Sequence, residues 1–275
     1  MRTEVTGADG ARIGLSVGGA RHARPLVLVH GWAQSSRVWA SQFADPALAG
    51  QFRLIAMDLR GHGASDTPKQ GYDDPRVWAD DLAAVLEFAG PDPIVVGWSY
   101  GGLVITDYLR VHGSARIGGI VLAGALTEIG KGHEGGRIGD AMRAAIPAVL
   151  SEDPDVAVPA LIEFSKAMAA KPVPGPLAQA LLGSCLSVSP SVRSAMFRRD
   201  VDSAEVLAAI DKPCLIVHGT NDRVVAPAAA EYAAGKIPGA VLRWFVDAGH
   251  LPFVESAEEF NSVLRQFSGE QPQHR

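Results

Sequence analysis

The chain has 275 residues, of which 47% are hydrophobic and 20% are charged, and its formal net charge at pH 7 is −5. A length and composition of this kind are typical of one large globular domain. The acidic balance predicts no nucleic-acid partner, and no apolar stretch approaches the roughly 20 residues of a membrane span. Residues 1–5 include an acid and no apolar run. We therefore expect no signal peptide, no membrane association and a cytoplasmic protein.

Short apolar runs alternate with helical patterns along most of the chain. Asp9-Gly10 is typical of a hairpin turn, and helical periodicity follows at 75–88, 100–112, 231–234 and 258–267. Consecutive apolar residues are typical of strands that are covered on both faces, as in a parallel sheet. Such runs occur at 26–29, 52–57, 94–96, 117–123, 215–217 and 241–245. The alternation predicts an α/β fold with a doubly wound, mostly parallel sheet.

Residues 126–205 interrupt this alternation, because they contain no convincing strand. Helical patterns occur at 137–150, 156–170 and 190–199, between a glycine-rich and a proline-rich segment. We predict that 126–205 form an inserted helical cap, and that residues 1–125 and 206–275 form the core.

A pentapeptide at 97–101, Gly-Trp-Ser-Tyr-Gly, directly follows the third apolar run and leads into the helix predicted at 100–112. This arrangement can place one serine in a sharp strand-to-helix turn with its hydroxyl exposed. Glycines on both sides avoid collisions with neighbouring backbone. Ser99 is therefore a candidate nucleophile, although the pentapeptide by itself is also compatible with an ordinary glycine-rich turn.

A serine nucleophile needs a base, and the base needs an acid that orients it. In a doubly wound fold the chemistry lies beyond the carboxyl ends of the strands. Asp222 and His250 follow the fifth and sixth apolar runs, so both are candidates, in the chain order Ser99, Asp222, His250. Alternatively, Asp222 only caps a helix and His250 is structural. Asp247 is a competing acid, and His218, inside a strand, is expected to be structural.

The reaction also needs N–H donors for the developing oxyanion. The backbone N–H of Tyr100, which follows the nucleophile, is one candidate. The N–H of Trp32, in the loop after the first apolar run, is the other, and it is chosen by its position alone.

Five segments carry a resemblance to a known family: 30–32, 58–65, 97–102, 219–222 and 249–250. They span most of the chain, and the sequence resembles the α/β-hydrolase superfamily, most of all its small esterases and cofactor-free haloperoxidases (perhydrolases). The resemblance implies a cap between the sixth and seventh strands of the family fold. It also implies that 58–65 is a scaffold turn and that no metal or organic cofactor is required.

These observations predict a serine hydrolase that cleaves small or medium uncharged carboxylic esters or lactones through an acyl-enzyme on Ser99. A perhydrolase or haloperoxidase, a C–C bond hydrolase with the same triad, and a slow-turnover ligand-binding receptor stay open as alternatives. A small-molecule ester is the expected partner, and no feature decides the oligomeric state. The candidate substrate contacts, some of which could equally build the core of the cap, are Trp32, Trp98, Met142, Phe164 and Met168.

Overall fold

The computed structural model describes residues 1–269, so the last six residues of the predicted core lie outside the described residues. Eight strands form its central sheet: β1 (Arg2–Thr6), β2 (Arg12–Gly19), β3 (Arg24–Val29), β4 (Phe52–Met57), β5 (Ile94–Trp98), β6 (Gly119–Ala123), β7 (Cys214–Gly219) and β8 (Val241–Phe245). Their order across the sheet is β1-β2-β4-β3-β5-β6-β7-β8. β2 pairs antiparallel with β1 and β4, and all other neighbours are parallel. The predicted mostly parallel α/β sheet is confirmed.

The sequence pattern located these strands well. Asp9 and Gly10 connect β1 to β2 with positive φ angles of 54° and 76°, as the predicted hairpin turn requires. Every residue of β5, β6 and β7 is buried. Because successive side chains point to opposite faces of a sheet, these strands are covered on both faces.

The strand β8 is an exception to the predicted burial. Its residues alternate between exposed and partly buried, and Val241 is 61% exposed. The prediction that the run at 241–245 is covered on both faces is wrong, because β8 lies at one edge of the sheet and one of its faces meets solvent.

The helices cover most of the remaining chain. Within residues 1–269 the α-helices are α1 (Ala40–Ala44), α2 (Pro46–Gln51), α3 (Pro75–Ala89), α4 (Tyr100–His112), α5 (Asp140–Val149), α6 (Pro154–Ala167), α7 (Gly175–Ser187), α8 (Pro190–Ala195), α9 (Ala204–Ala208), α10 (Pro227–Lys236), α11 (Pro252–Glu255) and α12 (Ala257–Gly269). In this part of the chain no helix has the length and apolar character to cross a membrane.

The helix α7 was not predicted from the sequence. Pro174 and Pro176 surround its first residue, and Gly183 lies inside it, so the sequence shows no clear helical pattern there. Pro176 is compatible with the helix because a proline in the first turn lacks an N–H that would have no partner there anyway.

Helices α5 to α8 lie between β6 and β7, on the segment predicted as the cap. A bridge between Ile129 and Val201 joins the two ends of this segment. A second bridge, between Ile138 and Val225, ties it to the loop after β7. The segment is thus anchored beside the carboxyl ends of the parallel strands.

A buried ion pair joins the end of this segment to α4. Arg199 donates from Nη2 to both oxygens of Asp107 at 2.7 and 2.6 Å, and neither side chain is exposed. Its Nη1 donates to the Tyr100 hydroxyl at 3.0 Å, and this hydroxyl donates to the Met196 carbonyl oxygen. Burial raises the pKa of Asp107 to about 6, although Arg199 opposes that shift. Asp107 is therefore ionised and paired at neutral pH.

We expect Arg199→Met to lower the free energy of unfolding by about 3 kcal/mol, the low end for breaking a buried pair, because Asp107 can take up a proton instead of remaining charged. Urea denaturation at pH 7 measures the loss. The double variant that also carries Asp107→Leu should regain most of it, since no unpaired group remains. A matched control is Arg243→Met, which removes an exposed pair with Glu259 and should cost no more than about 1 kcal/mol. Equal losses in R199M and R243M would contradict this interpretation.

Candidate active site

Ser99 lies at the junction of β5 and α4. Its backbone has φ 55° and ψ −120°, a conformation that few non-glycine residues adopt, and its side chain lies where the strand turns sharply into the helix. A Cβ on Gly97 would lie 2.7 Å from the Gly101 carbonyl oxygen, and one on Gly101 would lie 2.5 Å from that of Val29. Glycine is therefore required at both positions for the turn to close.

Asp222 and His250 lie in the loops after β7 and β8, and the structure brings them together. His250 Nδ1 is 2.8 Å from Asp222 Oδ2. The other carboxylate oxygen of Asp222, Oδ1, accepts the backbone N–H groups of Val224 and Val225 at 2.8 and 2.9 Å. Both side chains of the pair are buried. Because a carboxylate only accepts hydrogen bonds, the proton between them belongs to His250 Nδ1.

The competing acid, Asp247, is part of a tight turn instead. Its φ angle is 59°, and its backbone N–H donates to Thr220 Oγ1 at 3.0 Å. The hydrogen bond to His250 therefore favours Asp222 over Asp247 as the candidate for the orienting acid.

Trp98 joins the histidine to the strand that carries Ser99. Its indole N–H donates to the His250 carbonyl oxygen at 2.8 Å, and the two rings are 5.2 Å apart. On its other side Trp98 packs edge-on against Phe253, and it is only 1% exposed. Its ring supports His250, and its role as a substrate contact stays a prediction.

His218 lies beside Asp222, a placement that sequence reasoning did not predict. Its Nε2 is 3.1 Å from the Val225 carbonyl oxygen and 3.3 Å from Asp222 Oδ2. Burial lowers the pKa of His218, so the ring is neutral, and the Val225 carbonyl places its proton on Nε2. His218 thereby holds the loop that presents Asp222.

Gly124 is a second residue that the sequence analysis missed. Its φ angle is 49°, and a Cβ there would lie 3.2 Å from His250 Nδ1 and 3.3 Å from Asp222 Oδ2. A side chain at this position would crowd the acid–histidine pair, and the positive φ angle also favours glycine. The glycine follows β6 directly, which was the one available signal in the sequence.

The loop after β3 lies against Ser99. A Cβ on Gly31 would lie 2.8 Å from Ser99 Cβ and 3.3 Å from its Oγ. His30 shapes the loop: its Nε2 accepts the Leu59 N–H at 3.0 Å, so its Nδ1 donates to the Gly31 carbonyl oxygen at 2.8 Å. Trp32 follows next in this loop. Its N–H stays the predicted partner of Tyr100, whose own N–H opens α4 and so has no acceptor within the helix.

The other predicted substrate contacts occupy different places. Trp32 packs edge-on against Phe164 and Phe197, with ring centroids 5.9 and 5.5 Å apart, and its indole donates to the Arg193 carbonyl oxygen. The backbone carbonyl of Met168 accepts the His250 N–H at 2.7 Å. Met142 is buried near the start of α5, where its N–H meets the Arg223 carbonyl oxygen. Phe164 and Trp32 thus form one aromatic cluster, whereas Met168 touches the histidine loop through its backbone.

Within residues 1–269 no group of three or more His, Cys, Asp or Glu side chains has an arrangement that could hold a metal ion. Burial raises the pKa of both cysteine thiols, Cys185 and Cys214, to about 12, so neither is a thiolate at neutral pH.

The carboxyl ends of this mostly parallel sheet present a serine at a strand-to-helix turn, followed along the chain by an acid and a histidine. This arrangement defines the class of α/β hydrolases. The chain belongs to the alpha/beta hydrolase family, whose model matches residues 26–263. The resemblance drawn from the five sequence segments is therefore confirmed.

Individual proteins resemble the chain over nearly its whole length. The crystal structure of the esterase RhEst1 from Rhodococcus sp. ECU1013 has a TM-score of 0.94 at 46% identity, covering 98% of this chain and 99% of that one. The AB hydrolase superfamily protein YisY of Bacillus subtilis (strain 168) is 31% identical over 90% of this chain and 92% of the relative. A non-heme haloperoxidase of Rhodococcus erythropolis is 30% identical over 96% of this chain and 98% of the relative.

Proposed function

We propose that the chain is a serine hydrolase that cleaves small or medium uncharged carboxylic esters, or lactones, through an acyl-enzyme on Ser99. The observation that carries the proposal is the 2.8 Å contact between His250 Nδ1 and Asp222 Oδ2, tied through Trp98 to the strand end that bears Ser99. The name of the structurally similar esterase supports the same activity.

In the proposed reaction, His250 Nε2 takes the proton from Ser99 Oγ as this oxygen attacks the ester carbonyl carbon. Asp222 keeps the ring in the tautomer whose proton is on Nδ1, which leaves Nε2 free to act as the base. The N–H groups of Trp32 and Tyr100 donate to the oxyanion. His250 returns the proton to the departing alcohol, and it then activates the water that hydrolyses the acyl-enzyme.

The preference for uncharged substrates follows from the side chains next to this site. Trp32, Phe164 and Phe197 offer aromatic surface, and the two cations nearby already donate to acceptors of the protein itself. Arg199 is paired with Asp107, and the guanidinium of Arg193 donates to the carbonyl oxygens of Val149 and Val188 at 3.0 and 2.6 Å.

We further propose that residues 126–205 act as a cap over residues 1–125 and 206–275, as the position of this segment between β6 and β7 suggests. The same proposal includes a cytoplasmic location, a small-molecule substrate and no nucleic-acid partner, in keeping with the net charge of −5.

Hydrolysis of p-nitrophenyl acetate, butyrate, hexanoate and octanoate by the purified protein tests the proposal. We expect many turnovers per molecule, with the highest kcat/KM at a short or medium acyl chain, because the aromatic cluster at Trp32 limits the room beside Ser99. A protein without turnover on any of the four esters would contradict the proposal. One slow turnover followed by retention of the ligand would favour a binding receptor instead.

The haloperoxidase relative favours a second candidate, peroxide-dependent perhydrolysis. In that reaction hydrogen peroxide replaces water as the acceptor of the acyl group on Ser99, and the product is a peroxy acid that oxidises halide. Bromide oxidation that requires both acetate and peroxide would establish it. An ester hydrolase without this second activity would show no bromide oxidation under the same conditions.

A further inference from the structure

The carboxylate of Glu255, at the end of α11, accepts four backbone N–H groups. Its Oε1 accepts those of Gly249 and Leu251 at 2.9 and 3.2 Å. Its Oε2 accepts those of Ala170 and Lys171 at 2.8 and 2.9 Å. Each of these hydrogen bonds is charge-assisted and therefore stronger than one between neutral groups. Four of them to a single side chain form a strong connection, even though Glu255 is only half-buried.

The four donors belong to two segments far apart in sequence: the histidine loop (residues 249–251) and the α6 extension (residues 168–171). A further bond joins the same segments directly, since the His250 N–H donates to the Met168 carbonyl oxygen at 2.7 Å. All three consecutive N–H groups of the histidine loop are therefore fixed, two by Glu255 and one by the α6 extension.

Gly249 gives independent evidence that this contact is built into the fold. A Cβ at this position would lie 2.6 Å from the Ala170 nitrogen and 2.9 Å from the Met168 carbonyl oxygen. The two backbones approach so closely that only glycine fits between them. The contact therefore depends on a second residue besides Glu255.

The carbonyl group of His250 is fixed from the opposite side. It accepts the indole N–H of Trp98, the residue before Ser99. With its N–H held by the α6 extension and its carbonyl held beside Ser99, the backbone of His250 has little freedom. The imidazole then needs only its contact with Asp222 to be fully oriented.

We propose that Glu255 is a positioning residue, which fastens the histidine loop to the α6 extension so that His250 and this edge of the predicted cap move as one unit. Its effect on turnover rests on the proposed function, in which His250 is the base. Its effect on the two segments does not depend on that function.

Glu255→Gln is the first test, with Glu258→Gln as a matched control that makes the same change on an exposed side chain in the first turn of α12. The amide of E255Q has one oxygen, so its NH2 group must face one pair of N–H donors. We expect kcat on p-nitrophenyl acetate to fall about 10- to 100-fold, the loss typical of a small misplacement of a catalytic group. KM should change less than kcat, because the substitution removes none of the predicted substrate contacts.

Amide hydrogen exchange provides a readout that is independent of turnover. In E255Q the amides of 168–171 and 249–251 should exchange faster than in the wild type, while those of β5 exchange as before. Gly249→Ala, which leaves the carboxylate in place but separates the two backbones, should give the same pattern. Wild-type protein without esterase activity would refute the proposed function and leave the exchange experiment decisive for Glu255.

Two outcomes would overturn the inference. One is an E255Q protein that matches E258Q in both kcat and exchange. The other is a globally unfolded E255Q protein, because the inference confines the effect to the histidine loop and the α6 extension.

Discussion

Ser99→Ala is expected to lower kcat for ester hydrolysis by about a millionfold, the loss typical of removing the nucleophile of such a triad. Without Oγ no acyl-enzyme forms, and His250 is left with no proton to take from the protein. Alanine has the same Cβ as serine, so the strained turn at φ 55° is unchanged and the variant should fold as the wild type does. The loss is thus chemical and not structural.

The measurement is the initial rate on p-nitrophenyl butyrate together with the mass of the protein quenched during turnover. The wild type should show an added butyryl group on the peptide that contains Ser99, and S99A should show none. Ser114→Ala is a suitable control, because Ser114 is a surface serine whose hydroxyl only donates to Asp211, and its kcat should equal that of the wild type. If S99A kept more than about 1% of the wild-type rate, well above the expected loss, another group would be the nucleophile.

The sequence was sufficient to propose Ser99, Asp222 and His250 as candidates, because each is marked by its own neighbours. The serine stands between glycines after an apolar run, and the other two follow strand ends. In parallel sheets strand ends meet at one edge, so three local signals predict one site. The choice between Asp222 and Asp247 depended on side-chain direction, which local sequence does not encode.

The supporting residues could not be predicted in the same way. Trp98 is next to the nucleophile in the sequence, but the direction of its side chain at the end of β5 turns its ring towards His250 and Phe253. Glu255 acts through Ala170, which lies 85 residues away along the chain. Such contacts depend on how the α6 extension packs against the core, and no periodic pattern or motif in the sequence predicts that packing.

Asp222→Asn is expected to lower kcat about ten-thousandfold, with little change in KM, as replacing the acid of such a triad does when the histidine adopts the wrong tautomer. Asp222 accepts Val224 and Val225 N–H at Oδ1 and His250 Nδ1–H at Oδ2, and His218 Nε2 lies 3.3 Å from the same Oδ2. An asparagine has only one acceptor oxygen, so its NH2 group must face a donor on one side. The two orientations of the amide have opposite consequences.

If the NH2 group faces Val224 and Val225, two backbone N–H groups lose their acceptor and cannot adapt, because their protons are fixed. If it faces His250, the imidazole can move its proton from Nδ1 to Nε2 and accept the amide hydrogen instead. The second orientation is less costly, and it is the one that disables the base, since Nε2 then has no lone pair for the proton of Ser99. We therefore expect D222N to be stable and inactive.

Rates on p-nitrophenyl butyrate and urea denaturation together distinguish the two orientations. A variant that keeps its rate but loses stability would show that the amide oxygen still faces His250. Asp247→Asn is the matched control, because it makes the same change at the competing acid, which follows β8. Its rate should stay within about twofold of the wild type, as for a residue outside the reacting groups. Should D247N be the slower variant, His250 would be oriented from its own loop, and the acid after β7 would only cap the turn at Val224 and Val225.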